Sequence, residues 1–116
     1  MDDGIRRILR DQLRERMAAR DRPAMQAIRV ALAAIENAEA QPLDVAGPTV
    51  GGLTGASAGD VPRRVVPDED ARALVVREVD DLDAAARRYR ALGQEAAAST
   101  AGAQAEVLRR ALDRPA

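Results

Sequence analysis

Apolar side chains near the start of the chain recur with the spacing of amphipathic helices. Between residues 4 and 19 they fall every four positions, which predicts a first helix with one buried stripe. Residues 24–40 are apolar on most sides, a pattern typical of a central helix that contacts several neighbours. Asp21 is a good N-cap for this second helix, and Pro23 fits its first turn. The pattern therefore predicts an αα-hairpin from Ile5 to Ile35.

The hairpin is expected to bury two stripes of large apolar side chains. They are Ile5, Leu9, Leu13 and Met17 in the first helix, and Met25, Ile28, Leu32 and Ile35 in the second. The adjacent strip of the first helix carries an Arg at every fourth position, at Arg6, Arg10 and Arg14. We expect this strip to form a positively charged ridge along one flank of the helix.

A third helix is predicted after Pro67. Three acidic residues follow this Pro, and they favour a helix start because they lie at the positive end of the helix dipole. The helix is expected to end near Leu92, since Gly93 suits the position that follows a helix. Tyr89 falls on the apolar stripe and is expected in the core. Glu78 falls there too, and we expect it either to reach the rim or to pair with an Arg of another helix.

The end of the chain predicts a fourth helix that is weak at its beginning. Ser99, Thr100 and Gly102 interrupt an Ala-rich run there. The second half of the helix is clearer, because Leu108 and Leu112 have the spacing of residues that face a core.

Residues 40–67 have a different character from the rest. They contain four Pro and five Gly without periodicity, and they exceed the ~12 residues usual for an ordered connection. We expect a long disordered loop between the second and third helices; a binding loop that a partner orders is the alternative. The predicted fold class is therefore all-α, a four-helix bundle-like arrangement that forms a single domain over residues 1–116.

Composition narrows the chemistry. The 116 residues are 47% hydrophobic, enough to bury a core without metal or disulfide help. The absence of Cys and His excludes thiol nucleophiles, disulfides, structural zinc sites and imidazole acid–base chemistry. No apolar run approaches the ~20 residues of a membrane span, and Met1-Asp2-Asp3 does not begin a signal peptide. We expect a soluble, cytoplasmic protein with no membrane association.

The sequence contains no recognisable catalytic or cofactor motif. The Gly-rich segment at 47–59 lacks the spacing and the Lys of a phosphate-binding loop, and there is no GxSxG elbow. Asp80, Asp81 and Asp83 are close in sequence but point to different faces of a helix, which argues against a metal site. We therefore expect no enzyme activity, no cofactor and no bound metal.

Charge is unevenly distributed along the chain. The net charge is −1, yet residues 1–35 hold eight Arg against five acids, and residues 36–116 hold ten Arg against fourteen. Every basic residue is Arg, whose planar fork binds phosphate or carboxylate through two donors. One interpretation is a surface that contacts nucleic-acid phosphates without reading bases. The alternative is a solvated helix face that Asp3, Asp11 and Glu15 partly neutralise.

The candidate phosphate-binding residues are Arg6, Arg7, Arg10, Arg14, Arg22, Arg29, Arg63 and Arg64. Tyr89 is the only aromatic residue, and its expected place in the core leaves no ring to stack on a base. Sequence-specific recognition of single strands is therefore not expected.

The hairpin sequence resembles a known family. Its first helix ends in Met-x-x-Arg-Asp, at Met17 to Asp21, and its second carries Arg29 followed by Ala-Ala-Ile-x-Asn at 33–37. The third helix ends in Tyr-x-x-x-Gly, at Tyr89 and Gly93. Residues 5–113, apart from the Gly-rich loop, are similar to the YqeY family, which is related to the helical tail of the GatB subunit of the tRNA-dependent amidotransferase.

The resemblance implies an all-α domain of four helices without activity of its own, and a role in tRNA handling, because the GatB tail contacts tRNA. It implies that Met17, Ile28, Ala34 and Ile35 are core positions, and that Arg20, Asp21, Arg29 and Asn37 are surface or turn positions. The family usually continues into a smaller three-helix subdomain, which this sequence lacks after Pro115. If that subdomain carries the tRNA contacts, tRNA binding does not carry over.

These observations favour a non-catalytic binding module whose Arg-rich helix face contacts tRNA or a complex of the tRNA amidotransferase type. The alternative is a protein–protein interaction or assembly module with no nucleic-acid role. It would dock through Val30 and Ala33 on the outer strip of the second helix, or through the loop. The oligomeric state is left open, with a monomer favoured.

Overall fold

The computed structural model describes residues 4–40 and 65–115, which form four helices. Their bounds are Ile5–Ala18 for α1, Arg22–Ala40 for α2, Asp68–Ala91 for α3 and Glu95–Asp113 for α4. No strand occurs within these described ranges. The predicted all-α, four-helix class is confirmed. The fourth helix is regular from its beginning, although its first half was expected to be weak.

The predicted loop falls mainly on residues 41–64, which lie outside the described ranges. Its last part differs from the prediction. Val66 is buried, and its carbonyl oxygen accepts a hydrogen bond of 3.1 Å from Nη2 of Arg6. The segment just before α3 is therefore packed against α1 and belongs to the core.

The turn between α1 and α2 is built as the sequence predicts. Arg20 has a φ of 57°, in the left-handed region that lets the chain reverse direction. Oδ1 of Asp21 accepts a hydrogen bond of 3.2 Å from the backbone N–H of Ala24, so Asp21 is the N-cap of α2. The other carboxylate oxygen accepts one of 3.2 Å from Nη1 of Arg16, which ties the end of α1 to the start of α2.

The start of α1 is capped from another helix. The backbone N–H of Ile5 donates a hydrogen bond of 2.8 Å to Oδ1 of Asp68, the first residue of α3. Gly4 permits this approach, since its φ is 73° and a Cβ there would lie 2.1 Å from that oxygen. Nε of Arg72 holds the other oxygen of Asp68 at 2.8 Å. Asp68 thereby joins the beginnings of α1 and α3.

This cap predicts an acid-sensitive contribution to stability. The hydrogen bond from Ile5, followed by the contacts with Arg72, lowers the pKa of Asp68 below its usual value. A carboxylate with a lowered pKa in the folded state stabilises the fold above its unfolded pKa of ~3.9, and the contribution disappears as the pH falls through the folded pKa. We expect the free energy of unfolding to decrease below about pH 4, and Asp68→Asn to reduce that decrease.

Urea unfolding at a series of pH values measures this contribution. The matched control is Asp70→Asn, because Asp70 is exposed and lies in the same helical turn. This variant should retain the decrease in unfolding free energy at low pH that is due to Asp68. An unchanged acid dependence in Asp68→Asn would contradict the proposed role of the cap.

The core is aliphatic and rich in Ala. Its largest fully buried side chains are Ile5, Leu9, Ile28, Ile35, Val75 and Leu108. Helix α2 contacts each of the other three helices, as expected of a helix that is apolar on most sides. The same holds for α1, α3 and α4, so these contacts do not set α2 apart as the central helix. Small buried residues such as Ala31, Ala71 and Ala105 allow these helix axes to approach closely.

Two residues expected in the core are at the surface instead. Met17 is 49% exposed and Tyr89 is 38% exposed. Both lie near the end of a helix, where the apolar stripe continues beyond the neighbours that would cover it. Ile28 and Ile35 are buried as expected, and Ala34 is half-buried.

Helices α3 and α4 extend past the α1–α2 turn. Helices α1 and α3 begin together at the Ile5–Asp68 contact, but α1 has 14 residues and α3 has 24, a difference of roughly 15 Å at ~1.5 Å per residue. The α1–α2 turn lies beside the middle of α4, because Nε2 of Gln104 donates a hydrogen bond of 2.9 Å to the carbonyl of Pro23. Residues 87–96, all exposed, therefore form a projecting end that we call the α3–α4 tip.

Candidate nucleic-acid interface

Arg6, which was expected on the exposed ridge of α1, is largely covered by neighbouring residues. The Arg6 side chain is only 18% exposed, and it forms an ion pair with Glu39 near the end of α2 while donating to the carbonyl of Val66. Arg6 thus holds α1, α2 and the segment before α3 together. Because its guanidinium is largely covered and paired with a carboxylate, Arg6 is less accessible to a polyanion than the exposed Arg side chains of α1. Its phosphate contact stays a prediction.

Three of the candidate residues share one exposed face of α1. Arg7, Arg10 and Arg14 are spaced by three and four, which places them on the same side of a helix. Arg14 is 72% exposed and forms an ion pair with Asp11 on its own helix. A solvent-exposed pair of this kind is weak, so a phosphate group could compete for Arg14. We call residues Arg7, Arg10 and Arg14 the α1 face.

The two candidates on α2 flank an apolar depression. Arg22 and Arg29 are exposed, and between them lies a surface groove of about 400 Å³ on the outer side of α2. Its lining includes Val30, which is 45% exposed, and Ala33. The outer strip of α2 named in the alternative interpretation is therefore accessible. The last two candidates, Arg63 and Arg64, lie outside the described residues.

Sequence reasoning missed the α3–α4 tip as a charged surface. Arg88 and Arg90 flank Tyr89 in the last turns of α3, Arg87 lies on the opposite face of the helix, and all four side chains are exposed. Gly93, with a φ of 77°, ends the helix directly after them. The Arg-Arg-Tyr-Arg segment next to a helix-ending Gly was a visible signal. It went unused because helical periodicity assigned Tyr89 to the core.

Several acidic side chains in the described residues join one helix to another. Asp83 of α3 forms an ion pair with Arg109 of α4, and Glu15 of α1 one of 3.2 Å with Arg114. Glu78 is half-buried, and burial, together with the nearby Asp81, raises the pKa of its carboxyl. Glu78 was expected either to reach the rim of the core or to pair with an Arg of another helix. It forms no ion pair within the described ranges, and its partial exposure agrees with a place at the rim.

The described residues contain no group of three or more Asp, Glu, His or Cys side chains arranged to hold a metal ion. A second depression, of about 200 Å³, lies between the start of α2 and α4 and is lined in part by Asp21, Ser99 and Thr100. Because the Asp21 carboxylate already caps α2 there, an anion would meet a negative charge at this helix start.

Among the helices of the two described ranges, none has the length and apolar character needed to cross a membrane. Comparisons of the chain with protein-family models, with curated proteins and with solved structures find no match.

Proposed function

We propose that this protein is a non-catalytic, YqeY-like helical module of the cytoplasm that binds tRNA, or a complex that handles tRNA, through the phosphate backbone. The proposal rests on one observation, the accumulation of exposed Arg on the α1–α2 hairpin. The described residues of the hairpin hold eight Arg against five acids, and six of those Arg are exposed. A positive surface on a chain whose net charge is −1 favours a local polyanionic ligand.

The α1 face suits backbone contact rather than base recognition. Its three Arg lie within eight residues of helix, and the seven steps from Arg7 to Arg14 rise about 10 Å at ~1.5 Å per residue, so they span more than one phosphate of a nucleic-acid strand. Guanidinium groups bind phosphate oxygens through two parallel donors. Such contacts supply affinity and orientation without reading the base sequence.

Charge reversal tests this function. Labelled tRNA is titrated at low salt with the wild-type protein and with the triple variant Arg7→Glu, Arg10→Glu, Arg14→Glu. We expect the reversal to weaken binding at least about tenfold, and to reduce the slope of log Kd against log salt by about 2 to 3, since roughly three phosphate contacts are lost. Arg6 is left intact, because its reversal would break the contact with Glu39.

The control is the double variant Arg77→Glu, Arg110→Glu, at exposed positions of α3 and α4. It is compared with the double variant Arg7→Glu, Arg14→Glu, which changes the net charge by the same amount. The control is expected to lower affinity only slightly and to keep the salt dependence. If both variants lose the same affinity for tRNA, the binding depends only on the net charge of the protein and not on the α1 face. No binding of tRNA by the wild type would reject the proposed function.

The groove on α2 favours a second candidate, a protein-interaction or assembly module. Its apolar lining around Val30 and Ala33, flanked by Arg22 and Arg29, is the composition of a small docking surface. A Val30→Asp variant separates this candidate from RNA binding. It is expected to abolish a protein complex or a dimer measured by mass in solution, while tRNA binding stays unchanged. A strict monomer without protein partners argues against this candidate.

A further inference from the structure

The α3–α4 tip carries the only aromatic residue of the chain. There is no Phe or Trp, and Tyr89 is 38% exposed where the apolar stripe of α3 leaves the core. Leu92, next to it, is 65% exposed. The core itself is built without a ring, from aliphatic side chains and Ala. The one planar apolar surface in the sequence is thus presented to solvent on a projecting end of the molecule.

The charge of the tip favours an anionic ligand. Between positions 84 and 102 the sequence holds Arg87, Arg88 and Arg90 and a single acidic residue, Glu95. Asp83, one turn before Arg87, forms an ion pair with Arg109 of α4. Nε of Arg90 is 3.8 Å from Oε1 of Glu95, a long and exposed pair. Within the described residues, no acidic side chain forms an ion pair with Arg87 or Arg88. Arg88, which flanks Tyr89, is therefore available to bind phosphate. Because the Arg90–Glu95 pair is long and exposed, a phosphate can also compete for Arg90 on the other side of the ring.

Basic residues in the last turn of a helix also complement the helix dipole, and this accounts for part of the charge. It does not account for the exposed ring among them, or for Arg87, which precedes the last turn. A ring bordered by guanidinium groups matches an unpaired nucleotide, whose base stacks on the ring and whose phosphates pair with the Arg side chains. A base-paired duplex offers no free base face for such stacking.

We infer that the α3–α4 tip binds an unpaired nucleotide of RNA, with Tyr89 stacking on the base and Arg88 and Arg90, on either side of the ring, contacting the flanking phosphates. This inference rests on the proposed function, since it concerns the part of the RNA that the module contacts. According to this inference, the α1 face and the α3–α4 tip contact different parts of the RNA. The α1 face binds the backbone of paired or unpaired RNA, and the tip distinguishes a looped or single-stranded region from a stem.

The uniqueness of Tyr89 makes the test specific. All tyrosine emission of the protein comes from this side chain, so its fluorescence reports on the tip without a label. The probes are an RNA stem-loop and a blunt duplex with the sequence of the stem. We expect the stem-loop to quench the emission as it binds, because the ring stacks on a base, and the duplex to bind without comparable quenching.

Variants supply the second measurement, with labelled RNA as the readout. Tyr89→Ala is expected to weaken binding of the stem-loop about tenfold and to leave duplex binding unchanged, since stacking is lost only where a base is free. Tyr89→Phe is the matched control, expected to bind as the wild type does because it keeps the ring. The pair Arg88→Gln, Arg90→Gln should weaken stem-loop binding and reduce its salt dependence. Circular dichroism verifies that each variant is folded.

The outcomes separate the two proposals. If the wild type binds neither RNA, the proposed function and this inference fail together. If it binds both RNAs, with no quenching and no effect of Tyr89→Ala, the inference fails while the proposed function stands. If Tyr89→Ala instead reduces binding to poly-glutamate and not to RNA, the tip is a docking surface for an acidic protein, and the inference is overturned.

Discussion

Truncation of Ile28 to Ala is expected to lower the free energy of unfolding by about 4 kcal/mol. Ile28 is fully buried on α2, which packs against α1, α3 and α4. Removal of its outer carbons loses their transfer free energy and leaves a cavity. Such cavities cost more where the surroundings cannot collapse, and Ala27 and Ala31 beside it have no side-chain torsions with which to fill the space. The loss is therefore expected toward the upper part of the ~2–5 kcal/mol range.

Val30→Ala provides the control for this prediction. Val30 lies two residues away on the same helix, but it faces the outer groove and is 45% exposed. Its truncation should change stability by less than about 1 kcal/mol, because little buried surface is lost and Ala has the higher helix propensity. Urea unfolding followed by circular dichroism compares the two variants. Equal losses of unfolding free energy in the two variants would mean that burial at Ile28 does not determine the cost of truncation.

The positions of the helices could be predicted from the sequence because their signals are local. Asp21 caps α2 at the predicted place, and Pro67 and Gly93 delimit α3. The direction in which Ile28 and Ile35 point also follows from the period of a helix. These properties depend on residues within a few turns of each other, so a reading along the chain can find them.

The extent of the core could not be predicted in the same way. Periodicity shows which side of a helix is apolar, but it does not show how far the neighbouring helices reach along that side. Met17 and Tyr89 lie on the correct stripes, and both are exposed because the covering helices end or diverge before them. The difference between the 14 residues of α1 and the 24 of α3 leaves the end of α3 without cover.

The candidate site shows the same limit for charge. Spacing alone groups Arg6 with Arg10 and Arg14, but the partner of Arg6 is Glu39, 33 residues away, and only the packing of α2 on α1 brings them together. The surviving α1 face is consequently smaller than the predicted ridge. The tip, in contrast, is a candidate only because Tyr89, which the sequence places in the core, is exposed in the structure.

The two surfaces depend on the fold in different ways. The α1 face lies on the helical hairpin, whose two helices both contribute buried residues to the main core. The tip is carried by the end of the α3–α4 pair, where Ala86, Ala98 and Ala101 are buried outside the main cluster of buried residues. Side chains of this size hold two helices together only at close approach. The stability of the tip therefore depends on keeping those positions small.

Enlargement of Ala98 to Leu is expected to lower the free energy of unfolding by about 2 to 3 kcal/mol and to disrupt the tip before the core. Ala98 is fully buried, so the added carbons have no space unless α3 and α4 separate. In urea, the emission of Tyr89 should then change at a lower concentration than the circular dichroism of the whole protein. Ala96→Leu, exposed on the same helix, should leave both transitions unchanged within about 0.5 kcal/mol.

The same variant connects stability with the proposed RNA contacts. If the tip depends on close packing at Ala98, Ala98→Leu should weaken stem-loop binding as Tyr89→Ala does, while the α1 face continues to bind duplex RNA. This follows because the substitution displaces the ring and the guanidinium groups together without touching the hairpin. Coincident unfolding transitions in Ala98→Leu would instead show that the tip and the core unfold as one unit, so that a loss of RNA binding could not be assigned to the tip alone.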